Sequence, residues 1–142
     1  MKGKPLLRLL NEAPLPPDVN PGELIHIGER ILKDKGEKAA VNVIFVDDSF
    51  IRALNLRHRG QDRPTDVLSF RLPAVPGEEE EVSGEVYISL ERAMEQASEF
   101  GTTPADEIKL LLVHGLLHLF GYRDETPEER KEMEAESMRY LK

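Results

Sequence analysis

Three observations predict a single α+β domain, a mixed four-stranded sheet with helices packed on it. Short β-rich apolar runs alternate with stretches that open on helix-capping residues. One helix, centred on Ile108–Phe120, is apolar nearly all round and belongs at the buried centre. No repeat and no linker divides residues 1–142, and a chain of that length with 39% hydrophobic residues can bury a core without staples.

Taken in order, Pro5–Leu10 is apolar and suits an edge strand. Asn20-Pro21-Gly22-Glu23 opens a helix, with Asn20 as N-cap, Pro21 in the first helical position and Glu23 at the third. That helix runs to about Lys35 and stops at Gly36. Ala39–Val46 is β-rich and forms a strand. Asp48-Ser49 caps a second helix that reaches about Arg57 and breaks at Gly60. Asp66–Leu72 and Gly84–Leu90 alternate as strands, separated by an acidic Pro/Gly loop at 73–83. Glu91–Phe100 is helical. Thr103 caps the next helix, with Pro104 first and Asp106 where a capping carboxylate belongs. Thr126-Pro127-Glu128-Glu129 is a capping box for a last helix ending near Tyr140. The expected order is β-α-β-α-β-β-α-α-α.

The composition excludes several chemistries. There is no cysteine, so disulfides, thiolate-bound zinc and iron–sulfur clusters are ruled out, and nitrogen and oxygen must hold any metal. The start, with Arg8 interrupting a short apolar stretch, does not read as a signal peptide, and no run has membrane-spanning length. A cytoplasmic protein without membrane contact is expected. The net charge of −8 argues against nucleic acid only until its distribution is considered. Arginines 52, 57, 59, 63 and 71 face only Asp62 and Asp66, so residues 52–71 carry +3. The acids lie elsewhere, at Glu78–Glu81 and from Asp124 to Glu136. A solvated polar loop is the plain alternative for the arginines.

Residues 114–124, His-Gly-Leu-Leu-His-Leu-Phe-Gly-Tyr-Arg-Asp, carry the strongest chemical signal. His114 and His118 stand four apart in an apolar run, so a helix presents both imidazoles on one face. Gly121 ends the helix, and Asp124 lies where a returning chain can add a third donor. Two histidines and a carboxylate make a metal site with open positions. The spacing follows the zinc-protease pattern H-E-x-x-H-x-x-G-x-x-H with two changes. Gly115 stands where the glutamate base would be, and Asp124 stands where the third histidine would be. Met133 and Met138 could floor such a site, although core packing is the simpler use of both. A buried histidine must satisfy both ring nitrogens, which a metal on one and a backbone carbonyl on the other would do.

The second constellation is Leu54–Phe70, LNLRHRGQDRPTDVLSF, shaped by Gly60 and Pro64. Arginines on a loop between regular elements suit a phosphate, because a guanidinium is a forked and permanently charged donor. Thr65, Asp66 and Ser69 read first as local loop caps. His58 could stack on a base or take part in chemistry, and alone it argues for neither.

Together, LNLRHRGQDRPTDVLSF, GEVYIS and HGLLHLFGYRD with Met133 behind it resemble the YbeY family of bacterial endoribonucleases and rRNA maturation factors. The three blocks occur in that family's order across residues 54–133. The resemblance implies a metal-dependent, single-strand-specific endoribonuclease acting in 16S rRNA 3′-end processing and ribosome quality control, with zinc the usual metal. It implies His114, His118 and Asp124 as ligands and Arg59 as the functional arginine. Arg57, Arg59 and Arg63 would bind RNA. The chain departs at Asp124, usually histidine in the family, and at His58, often tyrosine. A carboxylate is a harder ligand than imidazole and broadens the choice toward Fe, Ni or Mn.

Three functions are weighed. In the first, an RNA hydrolase, the ion would polarise a phosphate oxygen and Arg59, with Arg63, would meet the charge developing on the phosphoryl group. The second is a metal-dependent hydrolase of another substrate, which Gly115 disfavours. The third is a non-catalytic ribosome-associated RNA-binding factor with a structural metal, its acidic bulk facing proteins of the small subunit or a partner GTPase.

Overall fold

The computed structural model describes residues 5–73 and 82–141. The strands β1 (Leu7–Asn11), β2 (Ala40–Val46), β3 (Val67–Arg71) and β4 (Val82–Ser89) form one sheet in the order β1-β2-β4-β3. β1, β2 and β4 run parallel and β3 is antiparallel to β4, so the sheet is mixed as expected. The helices are α1 (Pro21–Asp34), α2 (Asp48–Arg59), α3 (Leu90–Phe100), α4 (Pro104–Leu119) and α5 (Pro127–Leu141). Among the described residues the expected order of nine elements holds. The acidic run Glu78–Glu81, and with it most of the loop expected at 73–83, lies outside the described residues.

The caps explain where the helices start. Asn20 accepts from the Glu23 N–H and Thr103 from the Asp106 N–H. Thr126 and Glu129 bond each other's backbone N–H groups at 3.0 and 3.1 Å, completing the capping box. Two starts differ from expectation. Asp47, rather than Asp48, has the extended backbone of a cap and accepts from Phe50 N–H at 2.8 Å. Ser89, the last residue of β4, caps α3 directly, so Leu90 is helical rather than the end of a strand.

Alternation along the strands divides the core. Val41, Val43, Phe45, Val86 and Ile88 face the layer made by α1, α3, α4 and α5. Ile44, Val46 and Leu68 face the other way and pack with Ile51 of α2. The apolar α4 is enclosed by α1, α3, α5, β3 and β4, which is why it needs no polar face. Of the two methionines expected in the core, Met133 is 3% exposed and belongs there, whereas Met138 is 49% exposed. Met138 lies five residues beyond Met133, about 140° further round the helix, and both border a surface groove shared by α4 and α5.

Candidate metal centre and RNA-binding cleft

α4 can carry two histidines because its other sides are anchored. Gly115 is pressed against the sheet, where an added Cβ would meet Val86 Cγ1 at 2.5 Å and Val67 Cγ2 at 2.9 Å. Ser69 Oγ donates to the Gly115 carbonyl at 2.7 Å, tying β3 to the helix between the histidines. Ser69 therefore joins two elements and does not cap its own loop. A side chain at 115 requires Val86 and Val67 to shift, so the sheet crowds the position where the zinc-protease pattern has its glutamate. Asp66 does act locally, accepting from the Val67 N–H at 2.8 Å.

The helix then ends so as to orient His118. Gly121 takes a φ of +90°, a region that L side chains rarely adopt. Its N–H bonds the His118 carbonyl at 3.1 Å, and the Tyr122 N–H bonds the Leu117 carbonyl at 3.2 Å, a Schellman turn. That turn brings the Tyr122 carbonyl 2.9 Å from His118 Nδ1. A carbonyl only accepts, so in the neutral ring Nδ1 carries the proton and Nε2 keeps its lone pair. His118 Nε2 faces Asp124 Oδ2 at 3.8 Å. This exceeds a hydrogen bond and is near the roughly 3.4 Å separating two donors on one tetrahedral ion with bonds of about 2.1 Å.

His114 stands one turn back on α4. Burial holds its imidazole below the ordinary histidine pKa, and the charge of His118 pushes it the same way. Asp66, Asp124 and Glu107 oppose that shift. The outcome favours the neutral ring, the form that binds a cation. Among the described residues no three His, Asp or Glu side chains are already gathered at metal-binding spacing. The chemistry of the donor set, two imidazoles and a carboxylate with one lone pair already oriented by a carbonyl, fits a divalent ion.

Tyr122 is itself clamped. Its hydroxyl donates to Glu136 Oε2 at 2.5 Å and accepts from Lys35 Nζ at 2.9 Å. Lys35 also pairs with Glu136 at 2.8 Å, with side-chain exposures of 19% and 12%. Bonds from Lys35 and Tyr122 hold the Glu136 carboxyl down at about 2, and the bonds of Lys35 to Glu136 and Tyr122 push its ammonium above the ordinary range. The residue supplying the carbonyl for His118 is thus tied to α5 and to the end of α1. None of these three residues was singled out from the sequence. Lys35 lies 87 residues from Tyr122 and 101 from Glu136, so no local pattern signals the contact.

The arginine segment meets the histidine helix across a cleft of about 590 Å³, bordered by His58, Arg59, Arg63, His118, Arg123 and Asp124. Arg59 and His58 sit on the last turn of α2, which runs two residues further than expected before Gly60. Only Arg63 of the expected RNA-binding set lies on the loop, where Gln61 Oε1 accepts from its Nε and Nη2 at 3.1 and 2.9 Å. Arg57, two residues from Arg59 on the helix, points about 200° around the axis and is exposed off the cleft lining. Two other arginines are engaged structurally. Arg52 pairs with Asp62 at 2.7 Å, and Arg71 donates to the Leu119 carbonyl while pairing with Glu37. Among the described residues Arg59 makes no ion pair, and it borders the cleft. Asp124 also borders the second groove, of about 390 Å³, with His114, Met133 and Met138.

A family model described as "Endoribonuclease YbeY" matches residues 20–142. The endoribonuclease YbeY of Pelotomaculum thermopropionicum is 47% identical over 118 residues, covering 79% of this chain and 78% of that one. The endoribonuclease YbeY of Carboxydothermus hydrogenoformans is 41% identical over 110 residues, covering 78% and 76%. The solution structure of TM1509 from Thermotoga maritima superimposes with a TM-score of 0.64 at 36% identity, over 95% of this chain and 86% of that one. With a family match over most of its length, and with curated relatives above 40% identity, the chain belongs to the endoribonuclease YbeY family.

Proposed function

We propose that the protein is a metal-dependent, single-strand-specific endoribonuclease of the cytoplasm, acting in 16S rRNA 3′-end maturation and ribosome quality control. The observation that carries this reading is that Arg59 and Arg63 share one cleft with His118 and Asp124. Phosphate-binding cations and cation-binding donors thus face the same space. The names of the curated relatives support the reaction class. The ribosomal small subunit and its proteins are the natural partners for an enzyme with this substrate.

His114, His118 and Asp124 would hold one divalent ion, zinc in the first instance, with Fe, Ni or Mn admitted by the harder carboxylate. Such an ion supplies Lewis acidity toward a phosphoryl oxygen. The chain's own residues do the rest. The Tyr122 carbonyl fixes the His118 tautomer, and burial keeps His114 neutral. Arg59 and Arg63 place forked donors where a phosphodiester enters and where charge develops as the bond breaks. Gly115, crowded by Val86 and Val67, supplies no glutamate base and counts against a peptidase of the zinc-protease type.

The test is Arg59→Glu assayed on single-stranded RNA. Cleavage should be abolished while metal content and thermal unfolding match the wild type. Retained cleavage would remove Arg59 from the mechanism.

A further inference from the structure

The aromatic rings beside the cleft have no part in the reading above. His58 is exposed on the last turn of α2, and its ring lies 4.6 Å from that of Phe70, tilted by 49°. Phe70 in turn meets the edge of Tyr87 at 5.9 Å, and Tyr87 stacks on Phe50 at 5.9 Å. Phe70 and Tyr87 are seated on the cluster of Ile44, Val46, Ile51 and Leu68. His58 and Phe50, at the ends of this four-ring row, are exposed and the two middle rings partly covered, and His58 and Phe70 both border the cleft beside Arg59.

We infer that His58, braced by Phe70, is a stacking platform for one unpaired nucleobase of the RNA strand in the cleft. The proposal rests on the endoribonuclease reading and deepens it by naming how an unpaired strand is recognised. A lone surface histidine would lose conformational freedom on stacking, whereas this ring is already backed by an aromatic row on a packed sheet. Its neighbour Arg59 supplies the positive charge that a phosphate flanking that base requires. Aromatic platforms next to arginines suit single strands of mixed sequence, since every base offers a π-face. Bases paired inside a duplex cannot present that face, so the platform selects against double strands.

The test uses a single-stranded oligoribonucleotide with one 2-aminopurine moved along its length, titrated by fluorescence while cleavage of the same strand is followed. Wild-type protein should quench the probe at one position. His58→Ala should lose that quenching and bind about tenfold more weakly, the loss expected for one base–ring stack. His58→Tyr, which restores a ring without a chargeable nitrogen, should recover both. Binding of a blunt duplex of the same sequence should not change with either substitution. Unaltered quenching and affinity in His58→Ala would overturn the platform, as would failure of His58→Tyr to rescue or an equal loss for the duplex. Any of these results with intact wild-type cleavage refutes the platform alone. Absence of wild-type cleavage refutes the endoribonuclease reading.

Discussion

Replacing Glu136 by glutamine removes one charge from the clamp behind His118 and leaves its shape. In the folded protein the bonds from Lys35 and Tyr122 hold the Glu136 carboxyl at about 2, against an ordinary value of 4.5. At 1.36 kcal/mol for each tenfold change in proton affinity, that difference corresponds to about 3 kcal/mol at neutral pH. Desolvation of both groups and the entropy of holding two long side chains in one geometry offset part of it, leaving about 1–2 kcal/mol. The sign follows from the depressed value. The stabilisation is complete above about pH 4.5, where the unfolded carboxyl is ionised, and is lost as pH falls toward 2. Urea unfolding of wild type and Glu136→Gln measures it. The variant should be about 1–2 kcal/mol less stable at pH 7, and the gap should close between pH 4.5 and 2. Equal stabilities at pH 7, or a gap that persists at pH 2, would refute the clamp. Other carboxylates also titrate in this range, but they are common to both proteins and cancel in the difference.

Two further outcomes follow from the packing of α4, and two from the cleft. Gly115→Ala should cost about 1–3 kcal/mol by denaturant unfolding, because its Cβ would collide with Val86 and Val67. Ser69→Ala, which removes the bond to the Gly115 carbonyl, should cost about 1 kcal/mol by the same measurement. Arg59→Glu should abolish cleavage of single-stranded RNA without changing metal content. His118→Ala should lower metal content and cleavage together, since it removes the nitrogen whose lone pair Tyr122 orients.

The nine elements were legible because their signals are local. Asn20, Thr103 and Thr126 each cap a helix within three residues, and the apolar alternation of β2 needs no partner to be read. Adjacent candidates blurred the boundaries. Asp47 and Asp48 are both competent caps, and only the extended backbone at Asp47 decides between them. The end of α2 had larger consequences, since running the helix on to Arg59 turns Arg57 away from the cleft. The sheet order β1-β2-β4-β3 depends on pairing between distant segments and had no local trace. At the site, the spacing of His114 and His118 and the position of Asp124 were visible in the motif. Tyr122 lies inside that motif, but its tie to Lys35 and Glu136 leaves no mark there, because the hydrogen bonds of Lys35 to the other two span most of the chain. Ser69 was read as a loop residue because its partner is a backbone carbonyl 46 residues away.

The most direct measurement is elemental analysis of the purified protein beside His118→Ala, with single-stranded RNA cleavage assayed with and without chelator. About one equivalent of a divalent metal is expected in the wild type, lost in the variant together with chelator-sensitive cleavage. Cleavage that proceeds unchanged in metal-free protein, or in His118→Ala, would contradict a metal-dependent endoribonuclease built on this helix.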